Sequence, residues 1–281
     1  MAATVSAALP KSQAQLIYEQ HQRAQRRFAL GVVVSWLALL GLLLFLFSGV
    51  RLALGPLAFQ AIRLDWEFIR RWAPDISQGI WQTIEISILS ISFATVLALL
   101  AALGRLSRIA PIYALSTFYV SLIRGTPLYL QIIFFFLALP QLGVNLTGLW
   151  AGVLALGINY GAYMSEIFRA GILSVGKGQR EAALALGMSY GQMMRRVVLP
   201  QALRFAIPPT GNEFIAMLKD SALVSATGFV RELMWQAVHA GRANFRNFEA
   251  LLIAAVFYWM MTLLFTGLQS RLEKYMARGE R

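Results

Sequence analysis

Six stretches of the chain stay apolar for long enough to cross a bilayer, which takes about 20 residues of helix. The first, residues 29–50, contains no charge and follows a basic run with Arg23, Arg26 and Arg27. A cleaved signal peptide has the same charge order, but its apolar core is shorter, so this stretch reads as an uncleaved anchor. The second covers residues 79–104 and ends at Arg105. The third, residues 111–140, is longer than a bilayer requires and contains Arg124-Gly125-Thr126-Pro127. Proline removes a backbone donor from a helix interior, so a kink or break is expected there. The fourth covers residues 146–172. The fifth, residues 205–230, carries Pro208-Pro209, Glu213, Lys219 and Asp220, and the sixth, residues 248–268, precedes a charged tail.

Two connecting stretches stand out. Residues 51–78 include Asp65, Trp66, Glu67 and Trp72, a mixture that suits an interfacial helix. Residues 176–200 are polar and read GKGQREAALALGMSYGQMMRRVVLP. The residues from Ala182 to Leu186 are good helix formers, Gly187 is a break, Tyr190–Val198 can form a second short helix, and Pro200 closes the stretch. The pattern predicts a helix-turn-helix outside the membrane, suited to docking a soluble partner.

Composition narrows the class. Of 281 residues, 58% are hydrophobic and 14% charged, and mean hydropathy is +0.61. Soluble domains run about 45–50% apolar and about 25% charged, and disorder needs low hydrophobicity. The fold class expected is an all-α membrane protein. The chain has no cysteine, which excludes disulfides, thiolate metal sites and a Cys nucleophile. A net charge of +12 raises the question of nucleic acid, and sorting the charges by side answers it. Six spans put both termini on one side, with sixteen Lys and Arg against four acids, while the other side has seven against five. The positive-inside rule then places both termini in the cytoplasm, and nucleic acid is not an expected partner. Arg271, Lys274, Arg278 and Arg281 in the tail read as an anchor at an anionic membrane surface.

Several chemical signals are weaker than they look. Gly171 to Lys177 fits the start of a phosphate loop, but Gly178 stands where a magnesium-binding Ser or Thr is required, and a membrane helix rather than a strand precedes it. Any ATP chemistry therefore belongs to another chain. His21 and His239 fall on opposite sides, and no HExxH or carboxylate–His cluster offers a metal site. No nucleophile–base constellation supports a membrane-embedded enzyme.

Ionisable residues within spans cost about 2.5–3.5 kcal/mol on insertion scales and point to function by default. Glu166 can meet a substrate cation or pair with Arg169. Arg124 can hold a substrate carboxylate or bond the carbonyls freed by Pro127. Lys219 and Asp220 form either a gate or a self-neutralising pair. Asn159 and Tyr160 can line a path or bond neighbouring helices. The Gly148/Gly152 and Gly157/Gly161 spacings allow close helix packing, expected within the subunit.

Glu181-Ala182-Ala183, Gly187, Val197 and Leu199-Pro200 have the spacing of the EAA loop of ABC-importer permeases, with Val197 in place of the usual Ile. Arg124-Gly125-Thr126-Pro127-Leu128 resembles the RGTPL segment of the polar amino-acid branch. Glu166 to Ile172 is similar to its E-I-x-R-G-G-I run, with Ala170 for a Gly. Leu199-Pro200-Gln201-Ala202 and Leu218-Lys219-Asp220-Ser221 match as well, although Ser221-Ala222 stand where Thr-Ser is common. The resemblance covers roughly residues 79–268. It implies a five-helix permease core over 79–268 with an extra N-terminal span and outer loop over 29–78. Cytoplasmic tails over 1–28 and 269–281 complete the division.

What the resemblance implies about partners follows from the family. A cytoplasmic ABC ATPase dimer binds ATP and magnesium, while this chain binds no cofactor and is not an enzyme. A second permease, either a copy or a paralogue, completes the channel in the bacterial inner membrane, and a periplasmic or extracytoplasmic binding protein delivers an amino acid. Glu181, Ala182, Ala183, Gly187, Leu199 and Pro200 are the expected coupling residues. Glu166, Arg124, Asn159, Tyr160, Lys219 and Asp220 are candidates for the substrate path. The alternative is a self-sufficient secondary transporter or channel for small polar solutes. Such proteins often carry inverted repeats, and no internal repeat stands out here.

Overall fold

The computed structural model describes residues 13–54 and 57–277. The chain divides into two compact units at Asp65–Trp66. The first unit holds helix α1 (Gln13–Leu46) and a two-stranded antiparallel hairpin, β1 (Arg51–Leu54) and β2 (Leu57–Gln60). Phe28, Trp36, Leu40 and Leu44 on α1 are all exposed. A helix that is apolar all round must find a nonaqueous environment, and from Gln20 to Leu46 it is long enough to cross a membrane. The hairpin registers Arg51 with Gln60 and Leu54 with Leu57. It is continued by Ala61 N–H donating to Val50 O at 2.9 Å and Ile62 N–H to Leu46 O at 2.8 Å. Short strands were not expected in this stretch. A helix stands at its other end, α2 (Trp66–Ser77), which belongs to the second unit.

The second unit continues with α3 (Gly79–Arg105), α4 (Ala110–Arg124), α5 (Leu128–Ile133), α6 (Gly148–Ser174), α7 (Lys177–Ala185), α8 (Tyr190–Met193), α9 (Leu199–Asp220), α10 (Leu233–Asn244) and α11 (Asn247–Ala277). Among the described residues, residues 66–105 and 247–276 are also long and apolar enough to cross a membrane, and α4 with residues 128–142 meets the same measure only as a bent pair taken together. The span expected over 111–140 is therefore broken where Pro127 stands, and the two halves meet at 104°.

At the centre, α3 packs along α6. The buried stripe of α3 is made of small residues, Thr83, Ser87, Ser90, Ala94, Ala98 and Ala102, spaced to return to one side of the helix. Facing it, α6 presents glycines. A Cβ built on Gly157 would lie 2.5 Å from the Phe93 ring of α3, while one on Gly152 would lie 2.5 Å from Val224 in the turn that follows α9. The glycine spacing thus serves packing inside the subunit, where dispersion contacts replace the hydrophobic drive that lipid removes.

The start of α9 corrects an expectation. The helix begins at Leu199, not near Phe205, and is joined to α8 by a π-helical turn, Met194–Val198. Pro200 opens this helix rather than closing the loop before it. In the first turn of a helix a missing N–H costs nothing.

Candidate functional site

The loop with the EAA spacing folds as two short helices around a left-handed turn. The α7 helix ends with Leu186 N–H donating to Ala182 O at 3.0 Å and Gly187 N–H to Leu184 O at 2.9 Å. Gly187 has φ +79°, with open space where a side chain would stand. Glycine enters this region without the steric cost other residues meet. The next helix opens with a capping box, in which Gln192 N–H donates to Ser189 Oγ at 3.3 Å and Ser189 N–H to Gln192 Oε1 at 2.9 Å. This Ser-x-x-Gln signature is legible in the sequence and sharpens the expected second helix.

Burial separates the loop's residues by role. Ala183 is buried with Ile172, Val175, Met193, Val198 and Ala202, which seats α7 on the bundle. A larger side chain at Ala183 would lift the helix off. Glu181, Ala182 and Pro200 are exposed, and Leu199 is half-buried. Leu184 is half-exposed and Leu186 is 79% exposed. Glu181 forms no ion pair with Lys177, Arg180, Arg195 or Arg196. The loop therefore presents an exposed carboxylate with no ion-pair partner among the described residues, beside an uncovered apolar edge.

A second constellation surrounds the broken helix. Arg124, Asn159, Tyr160, Tyr163, Glu213 and Asp220 line a cavity of about 470 Å³, together with the Gly125–Leu128 break. The Tyr160 hydroxyl donates to Asp220 Oδ2 at 2.7 Å. Asn159 Nδ2 donates to Gln131 Oε1 at 3.1 Å, and Gln131 Nε2 in turn reaches Ile123 O at 3.0 Å, Thr126 O at 3.2 Å and Thr126 Oγ1 at 2.8 Å. Buried carbonyls left over at the break must find donors, and Gln131 supplies them. Arg124 does not, which corrects one of its two expected roles. Its guanidinium instead lies 5.0 Å over the Tyr163 ring and 3.3 Å from Glu166 Oε1. Gln131, Glu213 and Tyr163 were not among the expected site residues.

Glu166 is the hub of three arginines. Arg105 and Arg124 both donate to Oε1, and Arg169 Nε donates to Oε2 at 3.0 Å. The expected pair with Arg169 is one of three partners, and both carboxylate oxygens are engaged. This ties the ends of α3 and α4 to α6. Lys219 is exposed and makes no ion pair with Asp220, whose partner is Tyr160. The self-neutralising pair is thus corrected, because adjacent residues on a helix point about 100° apart. Neither Glu166 nor Lys219 lines the cavity.

Residues 94–278 match the family described as the binding-protein-dependent transport system inner membrane component. The chain is 40% identical over 222 residues to the L-cystine transport system permease protein TcyB of Bacillus subtilis (strain 168), covering 76% of this chain and 94% of that one. It is 38% identical to the arginine transport system permease protein ArtQ of the same organism (76% and 97% covered). It is 37% identical to the glutamine transport system permease protein GlnP of Escherichia coli (strain K12), covering 76% and 99%. Among solved structures, an amino acid ABC transporter with histidines is similar at 40% identity and TM-score 0.71, covering 76% of this chain and 100% of that chain. The MetNI methionine ABC transporter, at 19% identity and TM-score 0.64, shares the fold.

Proposed function

Since the chain belongs to the family of inner-membrane components of binding-protein-dependent transport systems, we propose that it moves a polar amino acid inward by alternating access. It is a multi-pass permease subunit of an ATP-driven importer. It has no ATPase site of its own, and hydrolysis occurs on a separate ATPase subunit. The family context brings an ATPase and a substrate-binding protein as partners.

The finer assignments are ours. The loop over residues 176–200 is the coupling element, with Glu181, Ala182, Ala183, Gly187, Leu199 and Pro200 meeting a dimeric ATPase that holds ATP and magnesium. Both termini are cytoplasmic, residues 79–268 are the permease core, and a second permease, a copy or a paralogue, completes the channel. The single observation that carries this reading is the division of labour on α7. Ala183 is seated in the bundle while Glu181 remains exposed and has no ion-pair partner among the described residues. A partner's basic residue can then pair with Glu181 without dislodging the helix. Nucleotide-driven closure of the two ATPases would draw the coupling helices together and open the path outward, and hydrolysis would reverse it.

The cavity beside the helix break is the proposed substrate path. Glu213 and Asp220 line it on α9, while Arg124 lines it at the end of α4. An amino acid offers the complementary pattern, a cationic ammonium and an anionic carboxylate. Two experiments test the assignment. The first identifies which amino acid raises the melting temperature of the co-purifying binding protein. The second measures uptake of that amino acid by Glu213→Gln and Asp220→Asn complexes. The expected outcome is a KM raised about tenfold or more; unchanged kinetics in both variants would move the path elsewhere.

A further inference from the structure

A second cavity, of about 680 Å³, opens where the α3–α4 turn, the end of α6 and the helices α7 and α8 meet. Its charged lining only donates. Arg108 and Arg180 face it together with Ser107 and Tyr190, and no carboxylate lines it. Arg108 has no ion-pair partner among the described residues. The Arg180 guanidinium is held by the Ile172 carbonyl, yet its buried Nε has no partner. Ser107 Oγ accepts from Ile109 N–H at 3.1 Å, which leaves its own proton free to donate. Buried donors without acceptors cost free energy unless an acceptor arrives, and two guanidiniums select a planar or tetrahedral oxyanion.

The rim of the cavity is of the opposite kind. Ile109 is 58% exposed and Leu173 is 49% exposed, and both lie where membrane helices end. From these observations we infer that the cavity binds the phosphate headgroup of an anionic phospholipid, with the acyl chains against Ile109 and Leu173. A free phosphate would satisfy the guanidiniums but leave the apolar rim uncovered. Arg180 and Glu181 are adjacent on α7 and so about 100° apart around it. The lipid site and the exposed Glu181 carboxylate thus face different directions from one short helix, and a bound lipid would stiffen the seat from which that helix acts.

Native mass spectrometry of the full-length chain in neutral detergent tests the inference, with phosphatidylglycerol, phosphatidylcholine and inorganic phosphate as probes. Phosphatidylglycerol should be retained about tenfold better than phosphatidylcholine, consistent with one or two charge-assisted contacts. Millimolar inorganic phosphate should not displace it. Arg108→Gln, on an exposed turn, should lose about tenfold, Ser107→Ala should lose less, and Arg70→Gln on α2, an exposed arginine away from the cavity, should lose nothing. Equal retention of the two lipids, retention unchanged by Arg108→Gln, or a loss as large in Arg70→Gln would overturn it. Displacement by inorganic phosphate would overturn it too, and would assign the cavity to a free anion.

Discussion

Tyr160 on α6 donates its hydroxyl to the Asp220 carboxylate at the end of α9 over 2.7 Å. Both residues line the cavity beside the helix break, and Tyr160 is 5% exposed. The bond fixes one acidic wall of the proposed path. Tyr160→Phe should remove a hydrogen bond to a charged group, costing about 2 kcal/mol of stability, and should raise the KM for uptake more than it lowers ATP turnover. A variant with wild-type KM would show that Asp220 is held by other means.

Gly187 sits at φ +79° between the two cytoplasmic helices. A β-branched residue there pays about 1–2 kcal/mol to stay left-handed or abandons the turn. Gly187→Val should therefore insert normally but lose most substrate-stimulated ATP hydrolysis in the assembled complex. Full stimulation at wild-type protein level would count against a coupling role.

Gln131 is buried and satisfies Ile123 O, Thr126 O and Asn159 Nδ2 at once. Gln131→Leu fits the space but takes their partner from Thr126 O and Asn159 Nδ2, while Ile123 O keeps only the longer bonds from Thr126 N–H and Oγ1. The expected cost is about 2–3 kcal/mol, read as a lower melting temperature in detergent. An unchanged melting temperature would mean that the break at Pro127 needs no internal donor.

Glu232 caps α10 and is fully buried. It accepts from Met234 N–H at 2.8 Å, Trp235 N–H at 2.6 Å and the Tyr258 hydroxyl at 2.8 Å. Burial nevertheless pushes its carboxyl up to about 7. The folded state then holds a proton that the unfolded state releases at its lower, ordinary pKa. Stability is fully present below about 4.5 and is lost as pH rises through 7, by up to about 3 kcal/mol. The melting temperature should fall between pH 5 and pH 8 in the wild type, and the Glu232→Gln profile should be flat across that window. Parallel profiles in the two proteins would refute the link.

The parts of the fold that were legible in the sequence are those set by local patterns. Pro127 marks the break, because a missing N–H acts on its own helix. Gly187 marks the turn between the cytoplasmic helices, and the Gly148–Gly161 spacing foretells close packing. The parts that were not legible depend on distant partners. Gln131 meets Asn159 across 28 positions, and Glu166 meets Arg105 across 61. Neither separation has a period to reveal it. Lys219 and Asp220 look paired as neighbouring letters but diverge around the helix. The paired strands over residues 51–54 and 57–60 are too short to show a period of their own, although the sequence between them carries a Gly-Pro pair.

The chain reconstituted in proteoliposomes with its partner ATPase and liganded binding protein, with ATP in the compartment the ATPase faces, tests the central claim most directly. Uptake of a polar amino acid should require all of the components and should fall to background when Glu181 is replaced by Arg. Concentrative uptake by this chain alone, without ATPase or binding protein, would contradict it.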